Sequence, residues 1–368
     1  MTDYTKRSLD GIWVGDCIGN LGQLYYVHDI LAALENGMVK FGSQLDQFSQ
    51  NFVYSDDTEE AIVLYNHLKT NGKIDQDKLA MEFATRYMER DPDGEIYGYG
   101  LNTRKVLRDI YEGVPWKEAN LIIKKSEGMP SHIDSLVHSL STGENIKDAM
   151  KSVNRSLNQQ RAEQIGKVKE GSCGNGSAMR VAVLGAFLNE TSDEELIRQA
   201  TLQSEPTHCH SEGIAGAIAI TMLANCFTRL VKALDQHGTI GTDSLTWGTD
   251  TRKYYNRLLE VVPKGQVWDG IKRASELPLN TPLAKVIEVL GNGSHVTCQD
   301  TVPLCVFLSL KALVTYKFNQ MYEKAIVETS MAFGDVDTNC AIVGGIVGIL
   351  SPPPEKWVKF CKQMEGVL

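Results

Sequence analysis

The sequence has no run of Lys and Arg longer than a pair such as Lys124-Lys125. Acidic residues outnumber basic ones, 46 to 37, and the formal net charge is −9 over 368 residues. Proteins that draw affinity from nucleic-acid phosphates display a basic face, so nucleic acid is excluded as the main partner. The eight cysteines, from Cys17 to Cys361, form no C-x-x-C pair and no regular spacing. They read as reduced thiols, mostly small buried hydrophobes. No long apolar stretch follows Lys6-Arg7, so no signal peptide is expected. The longest apolar run, residues 340–350, stops at Pro352-Pro353-Pro354 after eleven residues, too few to span a bilayer. A cytoplasmic monomer with no membrane contact is expected.

Repeats of fixed period, low-complexity linkers and hairpin dipeptides between alternating strands are also missing, which disfavours a solenoid and a sheet. What is present is helical periodicity. Val302, Cys305, Val306, Ser309 and Leu310 form one stripe, and Leu79, Phe83 and Tyr87 recur at i+4. Ser192 with Glu195 matches a capping box, Asp75 precedes a helical stretch, and Thr281-Pro282 reads as N-cap then first-turn proline. Gly344, Gly345 and Gly348 read as close helix packing. The composition, 42% hydrophobic and 23% charged, supports a sizeable core. The expectation is one all-α domain over residues 1–368, with about fifteen to eighteen helices. Residues 166–175 read as a functional loop and residues 236–250 as a surface excursion.

Two acidic clusters carry the chemistry. Ser55-Asp56-Asp57-Thr58 precedes the apolar-periodic stretch 61–68, and Asp335-Val336-Asp337-Thr338 precedes 341–350. Each alone is compatible with helix capping. Together they offer four carboxylates and several hydroxyls, a hard all-oxygen set suited to Mg²⁺ or Mn²⁺. If they meet in space they can hold two metals as a bridged pair. An EF-hand starting at Asp335 fails, because Cys340 and Ile346 stand where glycine and glutamate are needed. An aspartyl-nucleophile phosphatase also uses D-x-D-x-T, but expects a hydrophobic strand before it; residues 328–334 read as a helix end and a glycine turn.

A third feature is Gly171-Ser172-Cys173-Gly174-Asn175-Gly176-Ser177-Ala178-Met179-Arg180, followed by apolar residues 181–188. Small residues let backbone approach a ligand, and helix N-termini attract phosphate. The segment is neither a Walker A loop nor a Rossmann fingerprint, and both a structural turn and a diphosphate cradle remain open. The fourth feature is Thr207-His208-Cys209-His210 ahead of the small-residue helix 213–223. It lacks the further ligands a zinc site needs, and His208 reads as a structural hydrogen-bond partner or, together with the glycine loop, as a ribose or phosphate contact.

In this order, with Gly15-Asp16-Cys17-Ile18-Gly19 near the start, Gly98-Tyr99-Gly100 between, and Gly334 and Asn339 flanking the last cluster, the chain resembles the ADP-ribosylhydrolase (ADP-ribosylglycohydrolase) family. The matching pieces span nearly the whole chain. The resemblance implies a compact orthogonal bundle of α-helices with a binuclear Mg²⁺ centre, where Mn²⁺ can substitute. It implies metal ligation by Ser55, Asp56, Asp57, Asp335, Asp337 and Thr338. Gly171, Ser172, Gly174, Asn175, Gly176 and His208 would face the diphosphate and ribose, and Gly98, Tyr99 and Gly100 would line the rim near the scissile bond. The implied reaction is hydrolysis at ribose C1″ of an ADP-ribosylated protein, releasing ADP-ribose. Its oxocarbenium-like transition state is stabilised by nearby carboxylates, while Mg²⁺ grips ribose hydroxyls and acidifies water. Asp56 or Asp57 would orient that water or act as base.

Three positions depart from the family pattern. Gln23 stands where some members carry a glutamate used in proton transfer; a glutamine cannot transfer a proton, which favours arginine-linked over serine-linked ADP-ribose. Phe333 replaces a small residue beside Gly334, and Cys173 stands where an aromatic sometimes stacks on adenine. The competing readings are a catalytically impaired ADP-ribose binder and a metal-dependent phosphohydrolase.

Overall fold

Hydroxyl and carboxylate side chains open helices where the sequence places them. Asp75 accepts from the Lys78 amide, Ser192 from Glu195 and Ser55 from Asp57, each satisfying an amide that the first helical turn leaves without a partner. A computed structural model describes residues 3–22, 54–94, 97–120, 171–236 and 250–366. Among them sixteen helices occur and no strand; one isolated bridge joins Gly174 to Thr297. The all-α expectation holds.

In chain order the helices are α1 (Tyr4–Gly22), α2 (Asp56–Asn71), α3 (Gln76–Arg90), α4 (Leu101–Tyr111), α5 (Trp116–Ala119), α6 (Gly176–Met179), α7 (Ala182–Phe187) and α8 (Asp193–Ser204). There follow α9 (Ser211–Gln236), α10 (Arg252–Val261), α11 (Gln266–Glu276), α12 (Leu283–Leu290), α13 (Cys298–Thr315), α14 (Phe318–Ser330), α15 (Val336–Leu350) and α16 (Glu355–Gly366). One start differs from the sequence expectation. Pro282 is the N-cap of α12, with ψ of 139°, so the proline stays extended outside the helix and Thr281 does not cap it.

Two largely buried helices, α9 and α15, organise the packing. Helix α9 packs on α7, α8, α13 and α15, and α15 packs on α1, α14 and α13. By length and composition α9 and α13 could cross a bilayer, which the eleven-residue run at 340–350 does not suggest. Within the protein, 83% of the apolar stretch of α9 and 72% of that of α13 are buried. Their apolar surface is spent on the core.

The tightest joint is between α1 and α15, which run antiparallel. Gly11 faces Gly344 and Gly348, Gly15 faces Cys340, and Gly19 faces Val336 and Asp337. A Cβ on Gly11 would lie 2.1 Å from the Gly344 carbonyl oxygen, and one on Gly19 would lie 2.7 Å from Asp337 Cα. Only glycine allows this backbone-to-backbone approach. The close packing expected of Gly344, Gly345 and Gly348 is therefore present, with α1 as the partner of all three and Ala182 of α7 also against Gly345. The seam brings the polar end of α1 against the start of α15.

Candidate functional site

That seam places Asp16, on α1, beside the first turns of α2 and α15. Carboxylate oxygens of Asp16, Asp57 and Asp337 lie within 4.8 Å of one another. Asp16 is wholly buried and ties the first cluster down: it accepts from the Ser55 amide (3.0 and 2.9 Å), the Thr58 amide (3.1 Å) and Thr58 Oγ1 (2.6 Å). Asp57 Oδ2 accepts from Ser55 Oγ at 2.6 Å and Thr338 Oγ1 at 3.4 Å. Asp57 Oδ1 is buried and, among the described residues, has no hydrogen-bond partner. An orphaned carboxylate oxygen is costly in an interior, and the Asp57 carboxylate lies among others, an arrangement that suits a cation.

The electrostatics agree. Burial, then the nearby Asp337 charge, pushes Asp16 from 3.8 up to about 7. Burial first, then the charges of Asp16 and Asp337, raises Asp57 well above the usual carboxylate range. Asp56 is raised by burial, then by Glu60, Asp337, Asp16 and Asp335, and Asp335 by burial, then by Asp337. Without a counter-charge these groups resist ionising together. A divalent cation would relieve that repulsion, and the all-oxygen donor set fits a hard ion.

Of the six metal ligands expected from sequence, Asp57 and Asp337 sit in the tightest group, and Ser55 and Thr338 hydrogen-bond Asp57. The Asp337 charge bears on both Asp56 and Asp335. Asp335 Oδ2 accepts from Asn175 Nδ2 at 2.6 Å, so Asn175 braces the second cluster. Its Nδ2 also reaches Thr301 Oγ1 at 3.0 Å. Asp16 was missing from the expected ligands. Its signal was a lone carboxylate within the otherwise uncharged stretch 11–22, flanked by glycines at i−1 and i+3.

The glycine loop wraps His208. A Cβ on Gly174 or Gly176 would lie 3.2 or 2.8 Å from His208 Nε2, so side chains there would crowd the ring. Gly171, at φ +79°, abuts Cys209 Sγ, and Ser172 Oγ accepts from the Gly174 amide at 3.1 Å. His208 itself is buried, and burial followed by the Arg180 charge lowers it to about 3. Arg180, given no role from sequence, is wholly buried and pairs with Glu60 at 2.7 Å.

At the other side, Gly98 has φ of +79°, and a Cβ there would lie 3.4 Å from Asp56 Oδ1. The Asp56 amide donates to the Tyr97 carbonyl at 2.5 Å. The Tyr99 ring points into the core, edge-on to Tyr87 at 5.0 Å, so at this position the rim receives backbone and not an aromatic face. Tyr97 and Tyr54 stack at 5.4 Å beside it. Gln23, Lys124-Lys125 and residues 166–170 and 237–249 lie outside the described residues.

The family model of the ADP-ribosylglycohydrolases matches residues 3–366. The chain belongs to this family. The ADP-ribosylglycohydrolase family hydrolyses ADP-ribose linkages, and this chain shares its all-α architecture. The protein is 25% identical to ADP-ribosylhydrolase ARH3 of Mus musculus, over 98% of this chain and 88% of that protein. It is equally 25% identical to the Homo sapiens ADP-ribosylhydrolase ARH3, over 98% and 89%. A solved ADP-ribosylglycohydrolase-related protein complex superposes with a TM-score of 0.53 at 16% identity, covering 100% of this chain and 97% of that one, a likeness of fold.

Proposed function

We propose that this ADP-ribosylglycohydrolase removes mono-ADP-ribose from a modified protein side chain, arginine-linked by preference, with two Mg²⁺ ions at the acidic cluster. The observation that carries the reading is the meeting of Asp16, Asp57 and Asp337 within 4.8 Å, with Asp57 Oδ1 buried and without a hydrogen-bond partner among the described residues. The ions would be held by Asp16 and Asp57 from one side and Asp335, Asp337 and Thr338 from the other, with Ser55 and Asp56 completing the set. Bound there, Mg²⁺ supplies Lewis acidity and orients water and ribose hydroxyls.

The chain's own groups divide the rest of the work. Carboxylates around C1″ stabilise positive charge as the glycosidic bond breaks. Asp56, beside Gly98, orients or deprotonates the attacking water, and the proton released from that water goes to the departing side-chain nitrogen. The glycine loop and His208 hold the diphosphate by N–H donors. Gln23 supports the arginine preference: at that position some family members use a glutamate for proton transfer, and a glutamine can hydrogen-bond but cannot act as acid or base at neutral pH.

The deciding assay incubates the protein and Mg²⁺ with arginine-, serine- and glutamate-linked ADP-ribosyl proteins and identifies products by mass. Free ADP-ribose from the arginine-linked substrate, lost with chelator and with Asp337→Ala, is expected. Release undiminished in excess chelator would remove the metal from the reading, and release from the serine-linked protein alone would overturn the linkage. ADP-ribose binding with no product from any linkage would leave an inactive binder instead.

A further inference from the structure

Arg180 connects the acidic cluster to the glycine loop through partners that are all buried. Its Nη1 donates to Glu60 Oε2 at 2.7 Å, Nε to Gln203 Oε1 at 2.9 Å, and Nη2 to the Gln203 carbonyl at 2.8 Å and to Thr207 Oγ1 at 2.9 Å. The guanidinium lies 4.3 Å from the Phe83 ring centre. Glu60 stands one helical turn beyond Asp56, and Glu60, Gln203 and Thr207 are buried with Arg180.

Among the described residues, one proton arrangement leaves no donor on this line idle: Thr207 Oγ1 has room to accept from a protonated Nδ1 as well as from Arg180, but its own hydroxyl proton would then have no acceptor. An arginine side chain only donates, so Thr207 Oγ1 is the acceptor in its bond to Arg180. The single Thr207 hydroxyl proton is then free for another partner. His208 Nδ1 lies 2.8 Å away and is the acceptor the geometry offers. A neutral imidazole carries one protonated and one bare nitrogen. If Nδ1 accepts, the proton is on Nε2, the atom that faces Gly174 and Gly176. Burial and the neighbouring Arg180 charge both disfavour the imidazolium, so no second proton restores ambiguity.

We infer that Arg180 and Thr207 are positioning residues that hold His208 in a single neutral tautomer, with its Nε2–H presented to the glycine loop as a fixed donor for an anionic oxygen. On the function proposed above, that oxygen belongs to the diphosphate of ADP-ribose. His208 is then neither a proton shuttle nor a charge partner, and Glu60 keeps the Arg180 charge neutralised while Arg180 orders Thr207. A purely structural Arg180 would influence stability alone and leave the tautomer undetermined.

Long-range proton–nitrogen NMR correlation on the full, ligand-free chain with ¹⁵N-labelled histidine reads the tautomer directly. The His208 signals are assigned by their loss in His208→Asn. Expected are a protonated Nε2 and a bare Nδ1 in the wild type and in Thr207→Ser, with mixed or reversed protonation in Thr207→Val. Calorimetry should show ADP-ribose bound about tenfold more weakly by Thr207→Val, the scale of one lost hydrogen bond, and near wild-type affinity in Thr207→Ser. A wild-type Nδ1–H tautomer, or a Thr207→Val spectrum identical to wild type, would overturn the relay. If Thr207→Val does not fold, the wild-type spectrum still decides. Failure of the wild type to bind ADP-ribose would instead count against the ligand reading, and leave the tautomer result standing.

Discussion

A Cβ on Gly15 would stand 2.2 Å from the carbonyl oxygen of Cys340. Helices α1 and α15 therefore touch backbone to backbone beside Asp16, the residue that follows Gly15, and the first turn of α15, which carries Asp337. Gly15→Ala must force the helices apart. A loss of about 1–3 kcal/mol or more in stability is expected, with weaker Mg²⁺ binding as Asp16 leaves Asp337. Thermal melting and a calorimetric Mg²⁺ titration check both; unchanged values in each would show that the seam tolerates separation.

Asp57→Asn separates folding from cation binding. Its carboxylate lies among those of Asp16 and Asp337, and its Oδ1 has no hydrogen-bond partner among the described residues; an amide there removes a like charge and supplies a donor. In cation-free buffer the variant should melt higher than wild type. Wild type should gain about 2.7 kcal/mol at a hundredfold excess of Mg²⁺ over Kd, and the variant should lose most of that gain. Scanning calorimetry with and without chelator makes the comparison, and a full Mg²⁺ response in the variant would remove Asp57 from the ligand set.

The stability of the cation-free protein should depend on pH with a definite sign. Asp16 sits at about 7 in the fold against an ordinary 3.8, and Asp56, Asp57 and Asp335 are raised too. The folded state thus binds more protons than the unfolded chain between these values. Stability is greatest below about pH 4 as far as these groups are concerned and falls as pH rises, with the Asp16 contribution lost by about pH 7. Urea midpoints across that range, repeated with Mg²⁺, should show the cation recovering stability mainly on the alkaline side. A midpoint that rises with pH without cation would contradict the burial of these carboxylates.

Phe333 combines a left-handed backbone, φ +57°, with a side chain 66% exposed. Strain of this kind costs on the order of 1–3 kcal/mol in a non-glycine residue. Phe333→Gly should relieve it and raise stability by about 1 kcal/mol after the entropic cost of glycine. A lower melting temperature would mean that the ring contributes packing that outweighs its backbone.

Arg180→Met should cost about 3–5 kcal/mol, because Glu60 is left charged and buried without its partner. Adding Glu60→Met should recover much of that loss. Chemical denaturation of the two variants tests the pairing, and a double variant no more stable than Arg180→Met would show that Gln203 and Thr207, not Glu60, carry the cost.

What was legible in the sequence was local. The clusters at Ser55–Thr58 and Asp335–Thr338 could be found because capping chemistry and carboxylate density act over a few residues, and both do sit at helix starts. Asp16 carried a weaker signal, since its partners Ser55 and Thr58 are 39 and 42 positions away. Asn175 read as a ligand-facing loop residue, and its bond to Asp335 spans 160 positions. Tyr99 read as a rim residue on the family resemblance alone, and nothing nearby in sequence reveals that its ring packs edge-on to Tyr87 in the core.

Periodicity, caps and the lack of strand patterns were enough to determine an all-helical chain with two acidic helix starts and a glycine loop before a histidine. Only the tertiary structure decided that α1 lies against α15, that Asp16 joins Asp57 and Asp337, and that Arg180 ties Glu60 to Thr207. The reason is physical: helix formation and capping are set by neighbours within a turn or two, whereas which carboxylates share one buried volume depends on how closely distant backbones can approach.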